Sequence, residues 1–331
     1  MGKLTFSPSN KERIKNTEKQ PQRSDKKEQK REAMFYIAVG QKGIGKTFTS
    51  LQVIDSYVKG NPKVGLKPRK VLIFDVNNEY GMYRPIASDG NTIAKFSVQK
   101  MVECRRISAI RPDGKVKSST DFKNDLDNIL DNFRGGMVVL EDLALLVGDT
   151  ASVKLIGSLS TNRHRDLDII THFQSIAKFT NPKIYALKNV LRLHKTADSC
   201  QRPTPRKNLE DDYDIVRIAE LIVDDRYDKG VEMCDKLESE GKYNTKEYQK
   251  WDKEYRRFYL HVNFDKHKIT GSYTNDEFKS ACEKFLQEEM KTEVKPLLNY
   301  VDIETGQKKY NLKTAFEKKL AEKMRYNGSV K

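Results

Sequence analysis

Gly40-Gln41-Lys42-Gly43-Ile44-Gly45-Lys46-Thr47 reads G-x-x-x-x-G-K-T, the P-loop pattern. Met34-Phe35-Tyr36-Ile37-Ala38-Val39 precedes it, an apolar run suited to a buried strand. Thr47 to Val58 follows with helical character. Strand, loop and helix in that order give the pattern its meaning. The glycines let the backbone curl so that successive N–H groups point inward at phosphate oxygens, and the helix N-terminus adds its positive dipole end. On this reading Gly40, Gln41, Lys42, Gly43, Ile44, Gly45, Lys46, Thr47 and Phe48 hold the nucleotide. Lys46 reaches the β and γ phosphates, and the Thr47 hydroxyl serves Mg²⁺. The alternative is a glycine-rich turn with a chance lysine.

Downstream, Lys70-Val71-Leu72-Ile73-Phe74-Asp75 reads as a second buried strand, with Asn77-Asn78-Glu79-Tyr80-Gly81 at its carboxyl end. Ligands of open α/β sheets lie at that edge. Asp75 and Glu79 either face the nucleotide and its metal water or cap the next turn. Asp121 to Phe133 is helical in pattern, stopped by Arg134-Gly135-Gly136. Met137-Val138-Val139-Leu140-Glu141-Asp142 then has the Walker B shape, an apolar strand ending in two acids. By position Glu141 takes the metal role, through water, and Asp142 the base role, unless the two are exchanged. Val153 to Arg163 reads as a helix. After it, Leu167-Asp168-Ile169-Ile170-Thr171-His172-Phe173-Gln174 is a strand whose tip, Gln174, can orient a water or sense the γ-phosphate. Arg163 and Arg165 stand before that strand, where they either reach a neighbouring subunit or pair with Asp166 and Asp168. An arginine supplied in trans contributes ~10³–10⁵ in rate. Asn189 to His194 supplies what looks like the last strand of the sheet.

These motifs resemble the FtsK–HerA superfamily of P-loop ATPases. The resemblance rests on the P-loop strand, Ile73-Phe74-Asp75 with Asn78-Glu79-Tyr80-Gly81, Phe133-Arg134-Gly135-Gly136 before the acids, and Arg163-His164-Arg165…Gln174. It covers about residues 33–196. The Arg-His before a strand ending in Gln is similar to the zonula-occludens-toxin-like branch; the P-loop and the chain length are similar to viral genome-packaging motors. It implies an α/β fold with a RecA-like (ASCE) core and a mostly parallel central sheet, the sensor strand lying between the P-loop and Walker B strands. It also implies ATP and Mg²⁺ as cofactors, a homo-oligomeric ring of five or six subunits, an arginine finger in trans and, for a packaging motor, a portal or capsid vertex protein as partner. The Glu-Asp order departs from the family's usual pair.

Composition agrees with such a role. The 331 residues allow about two domains. With 62 Lys+Arg against 47 Asp+Glu the net charge is +15, which points to a second polyanion, double-stranded DNA in the motor reading. Residues 104–118 read as a basic hairpin around the turn Arg111-Pro112-Asp113-Gly114. It would gather Arg105, Arg106, Arg111, Lys115 and Lys117 for a phosphate backbone, or form a solvated surface. Four scattered cysteines without a C-x-x-C pair fit a reducing compartment and argue against a zinc module. No run approaches the ~20 apolar residues of a membrane span, and no signal-peptide core opens the chain. A soluble, cytoplasmic protein is expected, in the host cytoplasm if viral.

The expected organisation is a flexible basic arm at 1–32, a P-loop domain at 33–198, a linker at 199–212 and a C-terminal α+β region at 213–331. In the last, Phe258 to Phe264 pairs with Ile269 to Tyr273, and Thr274-Asn275-Asp276-Glu277 opens a helix. Leu312, Phe316, Leu320 and Met324 line a basic helix expected to dock on the core. The functions that fit are a DNA-translocating motor, a phage assembly or secretion ATPase acting on protein, or a slow nucleotide-gated DNA-binding scaffold. Relatives of the second kind usually carry a membrane helix.

Overall fold

Strand β1 (Phe35–Val39), the P-loop and helix α1 (Lys46–Lys59) follow one another as the motif requires. The computed structural model describes residues 33–62, 65, 67–142, 157, 161–297 and 312–327, without the side chains of 162–163, 290–297, 312–316 and 327. The basic arm at 1–32 and most of the helix expected at 153–163 lie outside the described residues.

Eight strands form one sheet in the order β3-β2-β4-β5-β1-β6-β7-β8. Beside β1 these are β2 (Lys70–Asp75), β3 (Cys104–Ser108), β4 (Gly136–Leu140), β5 (Asp168–Phe173), β6 (Val190–His194), β7 (Tyr259–Asn263) and β8 (Lys268–Thr270). The first six are parallel; β7 and β8 are antiparallel. β5 lies between the P-loop strand β1 and the acid-bearing strand β4, so the sheet has the RecA-like order that the motifs imply.

The parallel strands read as unbroken apolar runs because both faces of the sheet are covered. Leu72, Phe74, Val138, Leu140 and Ile169 point into a core shared with helices α2 (Gly90–Val98) and α3 (Ser119–Asn132). Val71, Ile73, Met137, Val139 and Ile170 pack instead with Ile54 and Tyr57 of α1. Ser118 and Asp121 cap α3 reciprocally, which sets where it starts. α1 is tied down at its far end: the Tyr57 hydroxyl donates to Asp168 Oδ2 at 2.9 Å, and Met34 N donates to Oδ1 at 2.8 Å. Beyond β5 come two short helices, α4 (Ile176–Phe179) and α5 (Pro182–Tyr185).

The chain past residue 198 departs from the expected division. Residues 203–209 are not linker but helix α6 (Pro203–Leu209), with Pro205 and Leu209 buried. Pro203 stands in the first helical turn, where proline is tolerated. Nor is β6 the last strand: β7 pairs with it in the register Val190↔Asn263 to His194↔Tyr259. The long helix α7 (Tyr213–Ser239) places Ile215, Ile218, Ile222 and Val223 in the same core as the β1 side chains. From Ala33 onward the described residues cluster as one unit. Helix α8 (Lys246–Trp251), helix α9 (Asn275–Leu297) and helix α10 (Leu312–Met324) complete the chain. Thr274 and Glu277 cap α9 through both halves of the expected box. Leu320 of α10 is buried and Lys323 reaches Asp214 of α7, so this basic helix docks on the core. Among the described residues no helix is long and apolar enough to cross a membrane.

The β6–β7 seam buries His194 and half-buries His261. Burial, then the charges of Arg192 and Lys46, push His194 well below its ordinary 6.5. Burial, then Arg192, pushes His261 down to about 4. The unfolded chain takes up protons near pH 6.5 that the folded chain refuses, so this contribution to stability is complete above pH 6.5 and is lost as pH falls toward about 4. Urea midpoints should fall between pH 7 and pH 5 by the equivalent of ~2 kcal/mol from His261, with His194 adding a fall of the same sign. His261→Gln should flatten that slope; an unchanged midpoint over the range would contradict it.

Candidate active site

The register of the sheet brings the motifs to one edge. β1 pairs with β5 so that Val39 lies opposite Phe173, and Gly40 and Gln174 leave the sheet side by side. The P-loop is pinned from both neighbours: Gly40 N donates to Phe173 O at 3.1 Å and Gln41 N to Lys195 O at 2.8 Å. A Cβ on Gly40 would stand 2.7 Å from Cβ of His194, so only glycine fits there. Gly43 and Gly45 have φ of 79° and 95°, the left-handed values that curl the loop. Lys46 then folds back over the loop, its Nζ donating to Gly40 O at 2.5 Å and Gln41 O at 2.9 Å. Burial lowers its pKa, against the pull of Glu141, Asp142 and Glu79.

Across a cleft of about 620 Å³ stand the two acids at the end of β4. Glu141 is buried and held. Its Oε1 accepts from the Tyr80 hydroxyl at 2.6 Å, and His172 Nδ1 lies 2.9 Å away, close but without the alignment of a hydrogen bond. His172 Nε2 contacts Ser50 Oγ of α1 at 2.8 Å, so α1, β5 and β4 meet through one ring. Burial drives the Glu141 pKa upward, but His172, Tyr80 and Lys46 outweigh it and the carboxylate lies below its ordinary value. Asp142 differs. It sits at φ 45°, a conformation Asp tolerates better than most residues, and turns the chain so that both carboxylates line the cleft. Burial raises its pKa; the Gln174 amide, donating to Oδ2 at 2.8 Å, opposes this and the Glu141 charge adds to it. Two adjacent carboxylates thus have opposite shifts, which is how one site separates a fixed anion from a group able to take a proton.

Several expected residues go elsewhere. Of the pair Asp75 and Glu79, Asp75 caps the turn: it accepts from Glu79 N and Tyr80 N and pairs with Arg106 at 2.9 Å. Glu79 faces the loop, its Oε2 accepting from the Thr47 hydroxyl at 2.5 Å. The basic hairpin forms only close to its turn: Ile110 and Val116 bridge, Arg111 N donates to Lys115 O at 2.8 Å and Lys117 N to Ala109 O at 2.9 Å, while β3 itself runs parallel beside β2. Arg105 pairs with Glu103, Arg106 with Asp75, Arg111 with Asp121 and Lys117 with Asp125. Lys115 is exposed. Arg163 and Arg165 belong to a 3₁₀ turn (Asn162–Arg165) at the amino end of β5. Arg165 donates no hydrogen bond from Nη1 to any described residue, while the side chain of Arg163 is outside the described residues. The residues that sequence reasoning missed are Tyr80, His172 and Ser50. Polar groups within apolar runs, as at His172, were the available signal.

The oxygen donors of this cleft suit Mg²⁺. Among the described residues no group of three or more His, Cys, Asp or Glu could hold a metal. Mg²⁺ needs fewer protein ligands, since it keeps several waters and shares substrate phosphates. The Thr47 hydroxyl and the Glu141 carboxylate, with Glu79 adjacent, are hard ligands of the required kind. When bound, the ion would neutralise charge on the β and γ phosphates.

No family model matches the chain, and no curated protein matches it in sequence. Similar solved structures include the genome packaging NTPase B204 of Sulfolobus turreted icosahedral virus 2 in complex with AMP, at TM-score 0.40 and 12% identity over 73% of this chain and 98% of that one. They also include B204, the DNA-packaging ATPase of Sulfolobus turreted icosahedral virus, at TM-score 0.39 and 12% identity over 72% and 95%. A third is the N-terminal domain of zonular occludens toxin from Neisseria meningitidis, at TM-score 0.27 and 18% identity over 49% of this chain and 76% of that one.

Proposed function

We propose that the chain hydrolyses ATP and spends that energy moving double-stranded DNA through a homo-oligomeric ring, as a viral genome-packaging motor. The observation that carries the hydrolytic part is the meeting of Lys46, Thr47, Glu141, Asp142 and Gln174 around one cleft. Phosphoryl transfer asks for positioning and charge stabilisation more than covalent help. The loop amides and Lys46 bind the phosphates. Glu141, clamped by Tyr80 and His172, holds a fixed negative charge toward the Mg²⁺ shell. Asp142, oriented by Gln174, takes the proton of the attacking water.

The ring is supported by the place of Arg165. The six residues of β5 span about 20 Å, so Arg165 stands at the opposite end of the strand from Gln174. A role for it in hydrolysis requires the site of a second subunit. DNA is supported by the net charge of +15, which favours sequence-independent, salt-sensitive binding. The test is the steady-state rate of ATP hydrolysis with and without duplex DNA at several salt concentrations. The expected result is stimulation that fades as salt rises. A rate indifferent to duplex DNA would overturn the motor and favour the assembly ATPase acting on protein.

A further inference from the structure

Gly45 borders two cavities. One is the cleft of the acids, which marks the γ-phosphate end of the loop. The other, about 570 Å³, opens on the opposite side, between the first turns of α1 and the segment 243–259. A nucleoside triphosphate laid along the loop with its γ-phosphate at Glu141 and Asp142 has its nucleoside at this second opening.

We propose that this cavity is the nucleoside subsite, taking a purine base between Phe48 and Tyr243; the inference rests on the nucleotide-binding reading of Gly40 to Thr47. Phe48 is 51% exposed and Tyr243 66%, yet both line the same cavity beside a phosphate cradle. Exposed aromatic rings are platforms for bases of any sequence, because every base has a π-face. The amides of Gln52, Asn244 and Gln249 also line it and can meet a base edge.

The far wall is built rather than incidental. Asp252–Arg256 is a π-helical turn, a rare conformation that recurs at functional sites. It presses so closely on α7 that a Cβ on Gly230 would stand 2.8 Å from Arg256 N and from Tyr255 Cβ. Arg256 donates to the Tyr248 hydroxyl at 3.1 Å, which donates to Glu238 at 2.7 Å, fixing the turn to both α7 and α8. Arg257 packs against Gly45. Its stem lies 3.5 Å from where a Gly45 Cβ would be, and its Nε pairs with Asp252 at 2.7 Å. The region after residue 200, in which the sequence shows no catalytic constellation, thus supplies one wall of the substrate site.

The experiment is calorimetric binding of ATP and of inorganic tripolyphosphate, each with Mg²⁺, to the full chain. Tyr243→Ala and Phe48→Ala should each weaken ATP about tenfold and leave tripolyphosphate unchanged. Both rings are more than half exposed, so neither variant opens the core. Gly230→Ala, remote from base and phosphate, should weaken ATP alone by displacing the wall. If both aromatic variants bind ATP as the wild type does while Lys46→Ala loses it, the subsite is wrong and the P-loop reading stands. Equal weakening of ATP and tripolyphosphate in the aromatic variants would also overturn the subsite, since the wall would then be supporting the loop. ATP binding indifferent to Lys46→Ala overturns both.

Discussion

Lys46→Ala is expected to lower the rate of ATP hydrolysis by about 10²–10³ while leaving the protein folded. The ammonium is half-buried, and burial lowers its pKa, the sign of a charge held partly out of water. A charge placed there acts on phosphate oxygens through a lower effective dielectric than a surface lysine does. Among the described residues its hydrogen-bond partners are the carbonyls of Gly40 and Gln41. Losing them should shift the thermal midpoint by no more than about 4 °C. Hydrolysis assayed beside a melting curve separates the two effects. A collapsed melting curve would mean that Lys46 holds the loop together rather than the phosphates.

Asp142→Asn is expected to lower kcat by about 10²–10⁴, with ATP still bound, because it removes the proton acceptor. The pH profile assigns the base. A base works only when deprotonated, so the rate rises as pH climbs through its pKa and then levels. Asp142 is raised above its ordinary 3.8, whereas Glu141 is lowered below its ordinary 4.5. An acid limb above pH 4.5 marks Asp142 as the base; one below pH 3.8 marks Glu141 and exchanges the two roles. Glu141→Gln keeps an acceptor for the Tyr80 hydroxyl but removes the charge, so it should weaken the response to Mg²⁺ more than it moves the acid limb.

The core of the site was legible because its signals are local. Gly40 to Thr47 carries its own backbone geometry, and the strand ending at Glu141-Asp142 needs only a run of apolar residues and a stop. The strand ending in Gln174 is of the same kind. What failed was pairing over distance. Cys104 to Ser108 has the look of a strand, and the turn at 111–114 exists, with Arg111 N donating to Lys115 O. Beyond the few pairs beside that turn, however, β3 pairs with β2, Cys104 lying opposite Val71, and nothing local announces a parallel partner. The same holds for β7, which joins β6 across the whole of α7. Pro203 and Pro205 stand in the stretch expected as linker, yet a proline in the first turn starts a helix as readily as it ends one. Tyr80 and His172 had no motif to announce them, since their partner Glu141 lies 61 residues away from one and 31 from the other.

Phosphate release from ATP and Mg²⁺ by the purified full chain, compared with Lys46→Ala and Asp142→Asn, tests the central claim most directly. The expected result is turnover by the wild type that both variants lose, with Asp142→Asn still binding ATP. Equal release by all three proteins would contradict a hydrolytic site at Lys46 and Asp142.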